Sequence, residues 1–325
     1  MTSRSTILAL FASVALIAGA VDRFAAPPTG PTLADTGYGA AVTHVGGKAY
    51  PREAIDSDGF RVRIPAPPRR IASQYWSVDE YLYSIVPPER VVAVSESGLL
   101  PGVSNVLDFT RKFRPVLSAD PELVLRQNPD LVVVSSGSGS DFTGLIRTSG
   151  IPVYRMFVDF TRLNQVEEYI RLFGYLTGED DRAETVARRF HGEIERARSL
   201  RPPGAAAPRV LGYGAHSHYS YGAKTLFDDV VRAAGGVNVA AQNGMEGYDA
   251  ISGEQVARWN PQWIVSGADP EQIEATRREI LADPGVALTE AGRAGHVLVL
   301  PNNVFLPMSP FSAARVTTIA EALWR

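Results

Sequence analysis

Two stretches of this chain carry one pattern, and that duplication constrains the fold more than any other feature. Residues 120–136 read DPELVLRQNPDLVVVSS and residues 252–268 read SGEQVARWNPQWIVSGA. Aligned, they share E-x-V-x-x-x-N-P-[DQ]-x-[VI]-V, with Glu122, Val124, Asn128, Pro129, Val132 and Val133 matching Glu254, Val256, Asn260, Pro261, Ile264 and Val265 at a constant offset of 254 − 122 = 132. Asp120 and Ser252 are both suited to cap a short helix whose first turn holds the glutamate. The proline then ends the helix, and a short apolar run bounded by small polar residues reads as a buried strand. Each half of the chain is therefore expected to contain a helix, a proline turn and a strand in the same order.

The surroundings repeat as well. RRIASQ (69–74) and RVLGYG (209–214) read as first strands, each followed by a helix, while GIPVYRMF and AGHVLVLP read as later strands of each half. Strands alternating with helices call for parallel sheets covered on both faces. Between the halves, Ala183, Val186, Ala187, Phe190, Ile194 and Ala197 recur at helical spacing over a stretch without proline, which predicts one long amphipathic helix ended by RPPGAAAP. The expected fold is α/β, with two three-layer lobes of mainly parallel sheet bridged by one long α-helix and a ligand cleft between the lobes. Its boundaries are an N-terminal lobe at 50–178, bridging helix and linker at 179–203, and a C-terminal lobe at 204–325.

The beginning of the chain differs in character. Arg4 precedes the apolar run ILALFASVALIAGAV, which ends in small residues and is too short for a membrane-spanning helix. It predicts a signal peptide over 1–20, followed by a flexible leader over 21–49. Export points to a periplasmic or secreted protein. With no cysteine in the chain, disulfides and a lipid-modified anchor are both excluded, leaving the protein free or held by an uncleaved N-terminal segment. A net charge of −3 offers no field for nucleic acid.

Lobes, bridge and the repeated E-x-x-x-x-x-N-P pattern together resemble the helical-backbone class of ABC-transporter substrate-binding proteins, which deliver ferric siderophores, haem or cobalamin. DSDGFRVRIPAPPRRIAS (56–73), LTGEDDRAE (176–184) and AAGGVNVAA (233–241) add to the likeness, which runs from about residue 56 to 325. The resemblance implies that Glu122 and Glu254 dock onto the two copies of a membrane permease. A partner with twofold symmetry calls for the same charge twice. It also implies a monomer that is no enzyme, has no resident cofactor, and holds a metal chelate, with a ferric siderophore first and cobalamin or haem behind it. The long helix implies small closure on binding. The competing readings are an enzyme or a ligand sensor on the same two-lobed fold.

Ligand contacts are expected from loops after strands. Tyr75 and Trp76 are the first-lobe candidates, with one of the two expected in the core. Tyr219, Tyr221, Tyr248 and Phe305 are the second-lobe aromatics, suited to a large planar ligand. Arg114 and Arg162 flank first-lobe loops and suit an anionic chelate. His216 and His218 form an H-x-H pair, but a metal receptor gathers three or four ligands from both lobes, so a polar cleft wall or a solvated loop is the better expectation and no metal site is assigned. SSGSGS and GAKT lack the spacing of a phosphate loop.

Overall fold

The computed structural model describes residues 44–45, 47–114, 116–118 and 120–325. The expected signal segment and most of the expected leader lie outside them. His44–Val45 (β1), within the stretch read as leader, pairs antiparallel with Arg52–Ile55 (β2), which pairs with Arg61–Ile64 (β3).

The N-terminal lobe is built on Ile71–Ser73 (β4), Val91–Ser95 (β5), Val116–Leu117 (β6), Leu131–Ser135 (β7) and Val153–Met156 (β8). These run parallel in the order β6-β5-β4-β7-β8. Its helices are Trp76–Ile85 (α1), Leu107–Thr110 (α2), Pro121–Leu125 (α3) and Ser140–Thr148 (α4). Leu163–Thr177 (α5) and Asp180–Arg198 (α6) follow.

The C-terminal lobe has the strands Arg209–Gly212 (β9), Val237–Asn238 (β11), Trp263–Ala268 (β13) and Val297–Pro301 (β14), parallel in the order β11-β9-β13-β14. A separate ribbon pairs Tyr219–Tyr221 (β10) antiparallel with Tyr248–Ala250 (β12). Its helices are Leu226–Ala233 (α7), Val239–Gln242 (α8), Gly253–Trp259 (α9), Ile273–Ala282 (α10), Pro284–Ala287 (α11), Glu290–Ala294 (α12), Asn302–Phe305 (α13) and Ser312–Trp324 (α14). In both sheets the strand order reverses beside the lobe's first strand, β4 or β9. Crevices outside the carboxyl ends of such strands are where α/β sheets take ligands.

The duplicated pattern becomes duplicated geometry. The Asp120 carboxylate accepts from Glu122 N at 2.9 Å to cap α3, and the Ser252 hydroxyl accepts from Gln255 N at 3.2 Å to cap α9. Asn128 and Asn260 both turn left-handed, with φ of 46° and 45°, a conformation that asparagine tolerates better than most residues. Each turn carries its carbonyl to the arginine that precedes or opens the first strand: Arg70 Nε donates to Asn128 O at 2.8 Å and Arg209 Nη2 to Asn260 O at 3.0 Å. The residue after the proline completes the clasp, because Asp130 Oδ1 accepts from Arg70 N at 2.8 Å and Gln262 Oε1 from Arg209 N at 3.0 Å. Pro129 and Pro261 are both buried beneath it.

The bridge is thicker than one helix. α6 buries Ala183, Ala187, Phe190, Ile194 and Ala197, at the 3.6-residue period. Its start is pinned to the N-terminal lobe by Arg52 on Asp180 at 2.8 Å and Arg90 on Glu179 at 2.6 Å. α5 packs along one side of α6 and α14 along another. At Gly174 the α5–α6 approach is so close that a Cβ would stand 2.3 Å from that of Ala183. The main apolar core runs without a break from Ile71 and Leu82, through Phe173, Phe190 and Val316, to Val231 and Val265. Separate cores under the outer faces belong to one lobe each.

Candidate functional site

The lobes meet along a line of contacts. Asn105 Nδ2 donates to Asn303 O at 2.7 Å and Asn303 Nδ2 returns a bond to Asn105 Oδ1 at 3.1 Å. Leu163 N donates to Asp229 Oδ2 at 2.8 Å. Gly102, at φ 79°, lies where a Cβ would stand 2.8 Å from the Pro270 ring. The most buried link is Glu80 on α1. Its Oε1 accepts from Asn105 N and Nδ2 at 3.0 and 2.8 Å, and its Oε2 accepts from Ser309 Oγ at 2.5 Å across the lobes. Burial raises Glu80 to about 7. It raises the neighbouring Asp79 to about 8, despite the bonds that Asp79 accepts from Ser95.

Four side chains combine two properties that a convex surface does not combine: they keep area open to solvent, yet surrounding protein desolvates them. Tyr75 is raised to about 12 by burial, as is Tyr221. Tyr248 keeps 43% of its surface exposed while burial raises its phenol strongly. Asp159, in the exposed loop after β8, is raised by burial, and its charge acts on Tyr248 from the opposite lobe. Asp159 and Tyr248 thus come near each other across the gap between the lobes.

The C-terminal wall of this cleft is aromatic, and its geometry follows from the β10–β12 ribbon. Register places Tyr221 directly opposite Tyr248, and their rings meet edge to face at 5.6 Å. Behind them Phe305 and Phe227 meet Tyr221 at 5.7 Å and 5.0 Å, but both are core residues, and Phe305, expected to touch ligand, is only 4% exposed. Ser220 points the other way and donates to Gly212 O at 2.7 Å, which fixes the ribbon's facing. Beneath the rings lies Arg315 of α14, only 5% exposed, its Cζ 5.9 Å from the Phe305 ring centroid. Burial lowers it to about 10, against the opposing pull of Tyr248 and Tyr221, so it stays charged at neutral pH.

The other sequence candidates are distributed differently. Trp76 is 4% exposed, 5.6 Å from the Tyr75 ring. Tyr219 is 38% exposed at the ribbon's far end. Arg114 is exposed and bonds to carbonyls of its own loop, while Arg162 is exposed at the N-cap of α5. The two histidines face α10: His216 Nδ1 meets Glu279 at 2.6 Å, and His218 Nδ1 meets the Tyr213 hydroxyl at 2.5 Å, which in turn donates to Asp283 at 3.0 Å. A cavity of about 300 Å³ lies against His218, Tyr213 and Asp283. Among the described residues no cluster of three or more His, Cys, Asp or Glu is placed to hold a metal ion. Glu122 and Glu254 both stand exposed in first helical turns, and neither makes an ion pair among the described residues.

Asp159, Glu80 and Arg315 are the site residues that the sequence reading missed. Arg315 did leave a trace. α14 buries Ser312, Ala313, Val316, Ile319 and Ala320, so Arg315 interrupts the face that the helical period assigns to the core.

The profile of periplasmic binding proteins matches residues 71–304. The chain belongs to the periplasmic binding protein family. Proteins of this family bind solutes, and its relatives span several cargoes. A cobalamin-binding protein of Halobacterium salinarum is 25% identical over 277 residues, which is 84% of this chain and 74% of that one. A vitamin B12-binding protein of Pectobacterium carotovorum subsp. carotovorum is 24% identical over 240 residues, covering 72% of this chain and 85% of its own. Among solved structures, the periplasmic heme-binding protein of Roseiflexus sp. RS-1, in its apo form, superposes with a TM-score of 0.66 at 25% identity, covering 79% of this chain and 98% of that one. These likenesses agree with the two-lobed α/β architecture with mainly parallel sheets.

Proposed function

We propose that this protein is an exported solute receptor that captures a tetrapyrrole-type metal chelate, of the haem or corrinoid kind, and hands it to an ABC importer. The observation that carries this reading is the paired rings of Tyr221 and Tyr248 on the C-terminal side of the gap between the lobes, backed by the buried ring of Phe305. Large flat ligands are held by apolar area and ring contacts of this kind. The relatives named for cobalamin and heme support the same class. A ferric siderophore, placed first on the sequence, moves behind it. A highly anionic catecholate complex calls for several converging cations, whereas Arg114 bonds to its own loop and the charge of Arg162 acts on Glu168 of α5. Glu122 and Glu254, exposed and duplicated, are the charges offered to the permease pair.

Titration of the purified protein with haemin, cyanocobalamin and a ferric catecholate, followed by ligand absorbance and quenching of tryptophan emission, tests the cargo. The reading expects saturable binding of at least one tetrapyrrole. Binding of the siderophore alone would overturn it.

A further inference from the structure

The two copies of the repeated segment, 120–136 and 252–268, are identical at six of seventeen positions. The fold accounts for four of them: Val124 and Val256, like Val133 and Val265, are wholly buried, the asparagines make the left-handed turns, and the prolines lie buried beneath the clasps. The remaining two pairs are Glu122 with Glu254 and Arg126 with Arg258, all four exposed. Partly exposed positions beside them differ, with Gln127 standing where the other copy has Trp259. Each arginine follows its glutamate by four residues, a spacing at which opposite charges on a helix attract. Here they do not pair: among the described residues none of the four side chains makes a hydrogen bond or an ion pair. Both arginines are held in the same place, two residues before the left-handed asparagine whose carbonyl is tied to Arg70 or Arg209. Each lobe therefore presents an open negative and an open positive charge about 6 Å apart along the helix axis, in the same order from helix start to clasp.

We infer that Arg126 and Arg258 are a second pair of docking charges, so that each permease copy offers an acidic group beside the basic group that takes the glutamate. The inference rests on the proposed reading, in which Glu122 and Glu254 meet a membrane permease of two like copies. A lone glutamate fixes one point on the partner and leaves the lobe free to turn about it. Two opposite charges one turn apart fix a direction as well, because docking in the reversed sense sets like charges against each other. The two doublets meet a twofold partner together only when each lobe sits over its own copy. Their charges cancel within each lobe, so the contact depends on short-range fit more than on the long-range field of a net charge. A glutamate at a helix start and an arginine at its end also suit the helix macrodipole, but aspartate and lysine would serve that purpose equally.

The test measures retention of the purified, cargo-free protein on nanodiscs that each carry one of the native host's ABC importers for metal chelates, with thermal melting followed in parallel. Arg126→Glu and Arg258→Glu should each weaken retention by about tenfold or more, with melting temperature unchanged because both side chains are exposed. Arg126→Lys and Arg258→Lys, which keep the charge, should be retained nearly as wild type is. Exchanging the pair, Glu122→Arg with Arg126→Glu, keeps the charge of the lobe and reverses the doublet, and this variant should be retained no better than Glu122→Arg alone. Retention that falls for the glutamate reversals and not for the arginine reversals would overturn the inference and leave the docking of the glutamates standing. An exchange variant retained like wild type would overturn it too, because only net charge would then be read. Lower melting temperatures with full retention in Arg126→Gln and Arg258→Gln would assign the arginines to the helix macrodipole instead. Failure of wild type on every importer would overturn the importer reading and this inference with it.

Discussion

The two lobes repeat each other at the Asn-Pro clasps and share little on the surface that faces the cleft. At the clasp, Asn128 and Asn260 differ by a single degree in φ, both prolines are buried, and each clasp is tied to an arginine at the first strand by bonds of the same kind. On the inner face, β4 leads to Tyr75 and a short loop into α1, whereas β9 leads to a turn and the β10–β12 ribbon with Tyr221 and Tyr248. Asp159 faces that wall from one side, while Phe305 and Arg315 belong to the other. Symmetry is kept where a twofold partner would read it and abandoned where a single asymmetric ligand would lie.

Breaking the symmetric face should have the largest effect. Glu122→Arg and Glu254→Arg are each expected to abolish importer-coupled uptake in cells while leaving the ligand dissociation constant unchanged. Loss of affinity alongside uptake would place the glutamates in ligand binding instead. On the asymmetric face, Tyr221→Ala and Tyr248→Ala should each weaken ligand binding by about tenfold or more, and Tyr75→Ala by less, since it stands alone on its wall. An equal effect from all three, measured by the same titration, would contradict the one-sided wall.

The contact between the lobes yields a pH dependence. Asp79 and Glu80 are raised by burial to about 8 and about 7, so each keeps its proton to a higher pH than an ordinary carboxyl. The stability they contribute is full below the ordinary carboxylate range near about pH 4, and it is lost as pH rises through about 7 to 8. Melting temperature should therefore fall as pH rises from about 5 to about 8, and Glu80→Gln should flatten part of that slope. A melting temperature that rises over this range would reverse the assignment.

The smallest difference lies within the clasps. Replacing either asparagine by alanine should cost about 1 kcal/mol for the left-handed turn. Asn260→Ala should cost about 1 kcal/mol more than Asn128→Ala, because the Asn260 side chain also bonds Glu290 through both its nitrogen and its oxygen. Denaturant unfolding of the two variants measures the gap, and equal losses would show those side-chain bonds to be inert.

What the sequence revealed follows the same division. The clasps are local: cap, turn and strand fall within about a dozen residues and repeat at a fixed offset, so residue type and spacing were enough to find both lobes. The ribbon was only half visible. Tyr221 and Tyr248 could be picked as aromatics in loops after strands, but their pairing across 27 residues is a matter of register. His216 and His218 share a strand-like spacing that suggested convergence. Instead His218 adopts a left-handed backbone at φ 53°, and the two rings find separate partners on and just after α10. Glu80, Asp159 and Arg315 owe their character to what surrounds them after folding, and composition alone gives an arginine in this chain no distinction.

The hydrogen bond from Ser309 to Glu80 has a consequence for how the cleft comes into being. A chain that emerges N-terminus first can complete β4 to β8 and α1 long before Ser309 exists, 229 positions downstream. During that interval Glu80 Oε2 lacks the hydrogen bond that Ser309 donates, and α6 has no α14 beside it. The first lobe can form early, and contacts such as Leu163 to Asp229 can join the lobes before the chain ends. The bonds made by Asn303 and Ser309, and the packing of α14 on α6, come last and complete the interlobe contact.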